Sequence, residues 1–169
     1  MNVFDFAMEV ERTGRTYYRN LAHKAAAPGV RTIFSMMADD EQELLERFQA
    51  MKASTQSTTL EDSRVVESLG NDFAKVFAEG EALAISSDLE AYNYVMKVER
   101  DICRLYEGAA ARESKPEVKT LLLKIAAEER RELDSLRKVY DFVNAPNEYL
   151  AWGEFSNLNE FHNFGREEG

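Results

Sequence analysis

An all-α fold, an antiparallel four-helix bundle made of two helical hairpins joined by one long crossover, is predicted for this chain by three observations. Its first half recurs in its second half at an offset of 88 residues, so that Met8-Glu9-Val10-Glu11-Arg12 matches Met96-Lys97-Val98-Glu99-Arg100. Tyr18, Ala22, Val30 and Leu45 likewise match Tyr106, Ala110, Val118 and Leu133. Each copy carries two apolar stripes at helical spacing. Pro28 and Pro116 stand at equivalent places, where the second helix of each hairpin would begin, since the first helical turn has no use for the N–H that proline lacks.

The elements follow in order. Helix 1, about residues 2–25, turns Phe4, Ala7, Glu11, Gly14, Tyr18, Leu21 and Ala25 inward. Helix 2, about residues 28–52, turns in Val30, Phe34, Met37, Glu41, Leu44, Phe48 and Met51. Residues 53–64 are rich in Ser and Thr and read as a surface connection, followed by a short amphipathic stretch around residues 65–77. A connection of that length can run the height of a bundle, which makes helices 2 and 3 parallel. Ser86, Ser87 and Asp88 offer N-caps for helix 3, about residues 88–111, whose inward stripe is Tyr92, Val95, Glu99, Ile102, Tyr106 and Ala109. Helix 4, about residues 116–143, turns in Val118, Leu122, Ile125, Glu129, Glu132, Leu136, Val139 and Val143, and Pro146 is expected to close it. Residues 1–145 thus form the bundle, and residues 146–169 a short C-terminal tail. With Tyr149, Trp152, Phe155, Phe161 and Phe164, the tail is too aromatic for disorder and is expected to pack on the bundle or on a neighbouring subunit.

Composition narrows the function classes. A formal charge of −10 argues against nucleic acid and anionic membranes as partners, because phosphate binding needs clustered Lys and Arg. Much of that excess is accounted for by a solubilising acidic surface. The absence of a basic segment followed by an apolar run at the N-terminus, and of any stretch of roughly 20 apolar residues, leads to a cytoplasmic expectation. With Cys103 alone, the chain can form no internal disulfide, CxxC pair or four-cysteine iron site.

Every stripe is interrupted in mid-seam by a glutamate. Glu11 lies about 16 residues before the first hairpin turn and Glu41 about 14 after it, roughly 24 and 21 Å at 1.5 Å per residue. Glu99 and Glu129 repeat this around Lys115. Four carboxylates should therefore meet at one level. A buried, unpaired carboxylate costs several kcal/mol, so protons, arginines or a bound cation must neutralise them. Arg12, Arg100, Arg130 and Arg131 are near in sequence, and a degenerate, metal-free cluster held by protons, waters and arginines is one reading. A divalent metal is the other, since carboxylates are hard oxygen ligands.

Glu11-x-x-Gly14-x-x-Tyr17-Tyr18 followed by Phe34-x-x-Met37-Ala38-x-Asp40-Glu41 resembles the rubrerythrin-like branch of the ferritin-like superfamily, over about residues 3–143. The resemblance implies a ferritin-like bundle holding a di-iron or related dimetal centre, with one glutamate from each of two helices and Glu-x-x-His from each of the others. Glu11 and Glu99 would be the lone glutamates, and Glu41 and Glu129 would open the pairs. Both motif histidines are replaced, by Leu44 and Glu132.

The expected centre is thus all-carboxylate, with Glu11, Glu41, Glu99, Glu129 and Glu132 as metal ligands and one position short of donors unless water fills it. It would take one or two iron ions by resemblance, or manganese or another divalent metal. Tyr18 and Tyr106, each two turns from a glutamate, are candidates to hydrogen-bond a ligand carboxylate or simply to close the core. Neither histidine is expected to ligate: His23 lies about 18 Å along its helix from Glu11 and His162 is in the tail. Cys103 reads as a small buried hydrophobe.

Three functions remain in play: a metal-binding protein that oxidises Fe(II) or reduces peroxide with an external electron donor, a metal-free homodimeric interaction or scaffold module, and storage in a closed shell. A homodimer is the expected assembly.

Overall fold

The computed structural model describes residues 1–55, 62–78 and 84–163, with side chains described to residue 146. Six helices follow one another: α1 (Val3–Lys24), α2 (Pro28–Ser54), α3 (Arg64–Ser68), α4 (Gly70–Ala78), α5 (Asp88–Arg112) and α6 (Pro116–Asn163). No described helix is long and apolar enough to cross a membrane.

Local chemistry sets the boundaries. The Asn2 side chain accepts from the Asp5 N–H at 3.0 Å and starts α1. Pro28 opens α2 as expected. Ser87 and Glu90 form a capping box, each side chain satisfying the other's backbone N–H, so α5 begins where the Ser-Ser-Asp sequence places it.

The first hairpin is antiparallel, tied at mid-height by Arg15 donating to Gln42 Oε1 at 2.5 Å and lower down by Lys52 with Asp5 at 2.5 Å. In the second, Arg130 of α6 pairs with Glu107 of α5. α2 and α5 start at the same end of the bundle, where a Cβ on Gly29 would stand 2.1 Å from Asp88 Oδ1, and both run away from it. They are parallel, which requires the intervening chain to climb the bundle. It does so through α3 and α4: Ser63 donates to Glu113 at the foot of α5, Phe73 meets Phe6 and Tyr106 at ring centroids of 5.4 and 5.0 Å, and Phe77 meets Tyr17 at 5.3 Å. This is the ferritin-like arrangement of two hairpins and one crossover.

The core lies along the four stripes. Phe4, Tyr18, Phe34, Phe48, Leu122 and Ile125 are fully buried, each large apolar side chain contributing roughly 1.5–3 kcal/mol. The crossover makes the bundle's two broad faces unequal. α4 covers the groove between α1 and α5, whereas the groove between α2 and α6 stays open as a cleft of about 240 Å³.

Two expectations for α6 need correction. Val139, assigned to the inward stripe, is 39% exposed and lines that cleft. The helix also does not stop at Val143: it continues through Pro146 to Asn163. Proline inside a helix forfeits the bond to the carbonyl four residues back, here Phe142, at about 3 kcal/mol in a buried helix. Phe142, at 82% exposed, and Pro146 are on the solvent side, so water can serve the freed carbonyl and the helix bridges the proline. The packing expected of the aromatic tail lies outside the described residues.

Candidate metal centre

The four mid-seam glutamates meet inside the bundle. Glu11, Glu99 and Glu129 are each 1% exposed and Glu41 4%, while Glu132 is partly buried. Carboxylate oxygens of Glu99, Glu129 and Glu132 come within 4.8 Å of one another, so α5 and one turn of α6 converge on a single point. Glu11 lies close enough to Glu41 and Glu129 for their charges to repel its own. Glu41 lies back against α1 over Gly14, where a Cβ would stand 2.7 Å from its Oε1.

Tyr18 Oη donates to Glu99 Oε1 at 2.5 Å, reaching from the first hairpin to a glutamate of the second. Its repeat mate Tyr106 is equally buried, and its hydroxyl has no hydrogen-bond partner among the described residues.

The cluster's electrostatics are those of uncompensated burial. Desolvation drives the Glu11, Glu41 and Glu129 carboxyls well above the ordinary range, and repulsion among the carboxylates adds to it. Glu99 is raised to about 7, by burial foremost, with the Tyr18 hydrogen bond pulling the other way. Glu132 is raised to about 8 by burial, Glu99 and Asp40, against the pull of Arg47.

No arginine pairs with them, although Arg47 lowers Glu132 from a distance. None of the five glutamates makes an ion pair among the described residues, because the nearby guanidiniums are engaged elsewhere: Arg130 with Glu107, and Arg47 and Arg131 both with Glu128. Protons or a cation are left. The donor set fits a hard divalent cation, being oxygen throughout, and Glu11, Glu41 and Glu129 each hold a buried Oε1 without a hydrogen-bond partner among the described residues. Two divalent ions would balance four carboxylates.

The replaced histidines are unequal in effect. Leu44, 0% exposed, offers the first hairpin no donor, whereas Glu132 brings the second a third carboxylate. His23 is exposed near the end of α1, and the His162 side chain lies outside the described residues. The Cys103 thiol is buried against Glu107 and the Ala126 carbonyl and is pushed up to about 11 by that burial, which suits packing rather than ligation.

Three residues escaped the sequence reading. Glu128 is 8% exposed and serves as a common anchor for Arg47 and Arg131. Asp40 faces the α2–α6 cleft, one position round the helix from Glu41. Gly14, placed on the inward stripe and in the motif without a role, leaves the space that the Glu41 carboxylate fills. Spacing did offer a hint for the last, since a glycine in mid-helix costs about 1 kcal/mol against alanine and needs a packing reason.

Two helical hairpins, one crossover between parallel helices and a carboxylate cluster at their centre define a ferritin-like bundle with a cluster able to hold metal. A family model, Rubrerythrin, matches residues 2–140, and the chain belongs to the rubrerythrin family, whose members typically bind iron. No curated protein and no solved structure gives a significant match.

Proposed function

We propose that this protein binds divalent metal between its two hairpins, with Glu99, Glu129 and Glu132 as the principal ligands and Glu11 and Glu41 completing the set. The observation that carries this reading is the convergence of three carboxylates in a cluster where Glu11, Glu41 and Glu129 each keep a buried Oε1 without a hydrogen-bond partner among the described residues. Tyr18 orients Glu99 through its hydrogen bond, and Tyr106 stands ready to do the same for an inner carboxylate. Iron, the family's usual metal, would supply one-electron chemistry toward dioxygen or peroxide when bound. The chain's own part is to hold the oxygen ligands and to hold protons on its carboxyls until a cation displaces them. Electrons would come from an external donor, and a homodimer is the proposed assembly.

Anaerobic loading with Fe(II) or Mn(II), followed by desalting and elemental analysis, tests this directly. The parent should retain one or two equivalents and a Glu41→Ala, Glu129→Ala double variant almost none. Equal, background-level metal in both folded proteins would sink the proposal.

One observation favours a second reading. Burial and mutual repulsion hold the Glu11, Glu41 and Glu129 carboxyls well above the ordinary carboxylate range, so a protonated cluster can persist without metal, as in a scaffold or interaction module. In that case Glu129→Gln would raise the melting temperature by relieving repulsion, and added Mn(II) would leave it unchanged.

A further inference from the structure

Among the described residues the α2–α6 groove is a broad face of the bundle that the crossover leaves uncovered, and its floor is a member of the carboxylate cluster. The cleft is lined from α2 by Met36, Met37 and Asp40 and from α6 by Glu132, Ser135 and Val139. Glu132 therefore touches two worlds: one side faces the cleft, and a carboxylate oxygen lies within 4.8 Å of ligand oxygens of Glu99 and Glu129. Of the other cavities described, those at the foot of α5 and beside α4 are not lined by any cluster carboxylate.

We propose that this cleft is the port through which a hydrated divalent cation reaches the carboxylate centre, with Asp40 as its outer contact and Glu132 as its inner one. The inference rests on the metal-binding reading above. Five observations support it. A volume of about 240 Å³ admits a cation with its six waters, which need about 180 Å³ at roughly 30 Å³ each. Asp40 makes no ion pair and no hydrogen bond among the described residues, so its charge is unspent.

The two cleft-side guanidiniums, Arg47 and Arg131, are both held by Glu128, which offsets one of their two charges, so three carboxylates, Glu128, Asp40 and Glu132, stand against two cations around the cleft once Glu132 is ionised. Beyond Glu132, the buried Glu129 Oε1 has no hydrogen-bond partner among the described residues, so the path ends on an unsatisfied ligand atom. The apolar walls formed by Met36, Met37 and Val139 add a low-dielectric surround, which strengthens the pull of the two carboxylates on a cation.

A port is distinguished from a binding site by kinetics. Stopped-flow transfer of Mn(II) from a fluorescent chelator to the metal-free protein gives the association rate, and the reverse mixing gives the dissociation rate. Ser135→Trp, which fills the cleft from an exposed position, should slow both by about the same factor, tenfold or more, leaving the final occupancy at the parent's level. Asp40→Asn should slow association at least about fivefold and flatten its dependence on salt. Thr13→Trp, an equally bulky change in the cavity beside α4, should leave both rates unaltered. A parent that loads Mn(II) while Ser135→Trp and Asp40→Asn load just as fast, or while Thr13→Trp is slowed as much as they are, would overturn the port and leave the metal site standing. A parent that takes up no Mn(II) would overturn both.

Discussion

In the first hairpin the Glu41 carboxylate lies back over Gly14 and the residue one turn further along α2 is Leu44, sealed in the core. At the equivalent places in the second hairpin stand Ile102, buried at 2%, and Glu132. The Glu129 carboxylate there meets Glu99 and Glu132. The hairpin frame and its apolar stripes are shared, yet among the described residues three carboxylates come together on the second hairpin's side alone. On the metal-binding reading, two or three side chains rather than the repeated fold would set how many ions are held.

Making the first hairpin like the second is the most disruptive way to probe this difference. Leu44→Glu places a further carboxylate in a fully buried position, and without metal it should destabilise the protein by roughly 3 kcal/mol or more. Saturating Mn(II) should restore most of that loss in denaturant unfolding and add a second bound equivalent. A stable, metal-indifferent variant would show that the two sides do not differ in the way described.

A smaller effect comes from pH. Glu99 at about 7 and Glu132 at about 8 lie above their unfolded values near 4.5, so between about pH 5 and 9 the folded chain holds protons that the unfolded chain has released. Groups raised in this way contribute stability that is complete below the unfolded value and lost as pH rises through the folded one. The metal-free protein should therefore melt several degrees lower at pH 8.5 than at pH 5.5. Metal affinity should move in the opposite direction and rise with pH, because the ligands must shed those protons to bind. Thermal melts across this range, with and without Mn(II), check both signs.

The smallest change sharpens the role of Gly14. Gly14→Ala should gain up to about 1 kcal/mol of helix propensity while its Cβ pushes the Glu41 carboxylate off α1 toward its like-charged neighbours. Only the flexible end of Glu41 has to move, so the net change in stability should stay within about 1 kcal/mol and Mn(II) affinity should shift less than tenfold. A loss of folding would mean that the Glu41 carboxylate cannot leave its place.

The bundle was legible because its determinants are local: apolar stripes, Pro28, Pro116 and the Ser87 cap locate the helix starts, and the repeat locates the glutamates. What escaped is set by neighbours in space. The inward stripe identifies Glu41 but says nothing of Asp40 one position away, whose role depends on where α4 leaves a groove open. Tyr18 was expected near a glutamate two turns off, yet the glutamate it meets is Glu99, on a helix about 80 residues later. Pro146 carries a breaker's signature, and its helix continues because the freed carbonyl faces solvent. Glu128 resembles any surface glutamate until α2 and α6 bring two arginines to it.

The inequality of the hairpins is tested most directly by calorimetric titration of Mn(II) into the metal-free parent and into Glu132→Leu, which gives the second hairpin the leucine of the first. One tight equivalent in the parent, weakened about 100-fold, or about 2.8 kcal/mol, in the variant, is the predicted result. Two equal sites in the parent, or a variant that binds as tightly as the parent, would contradict it.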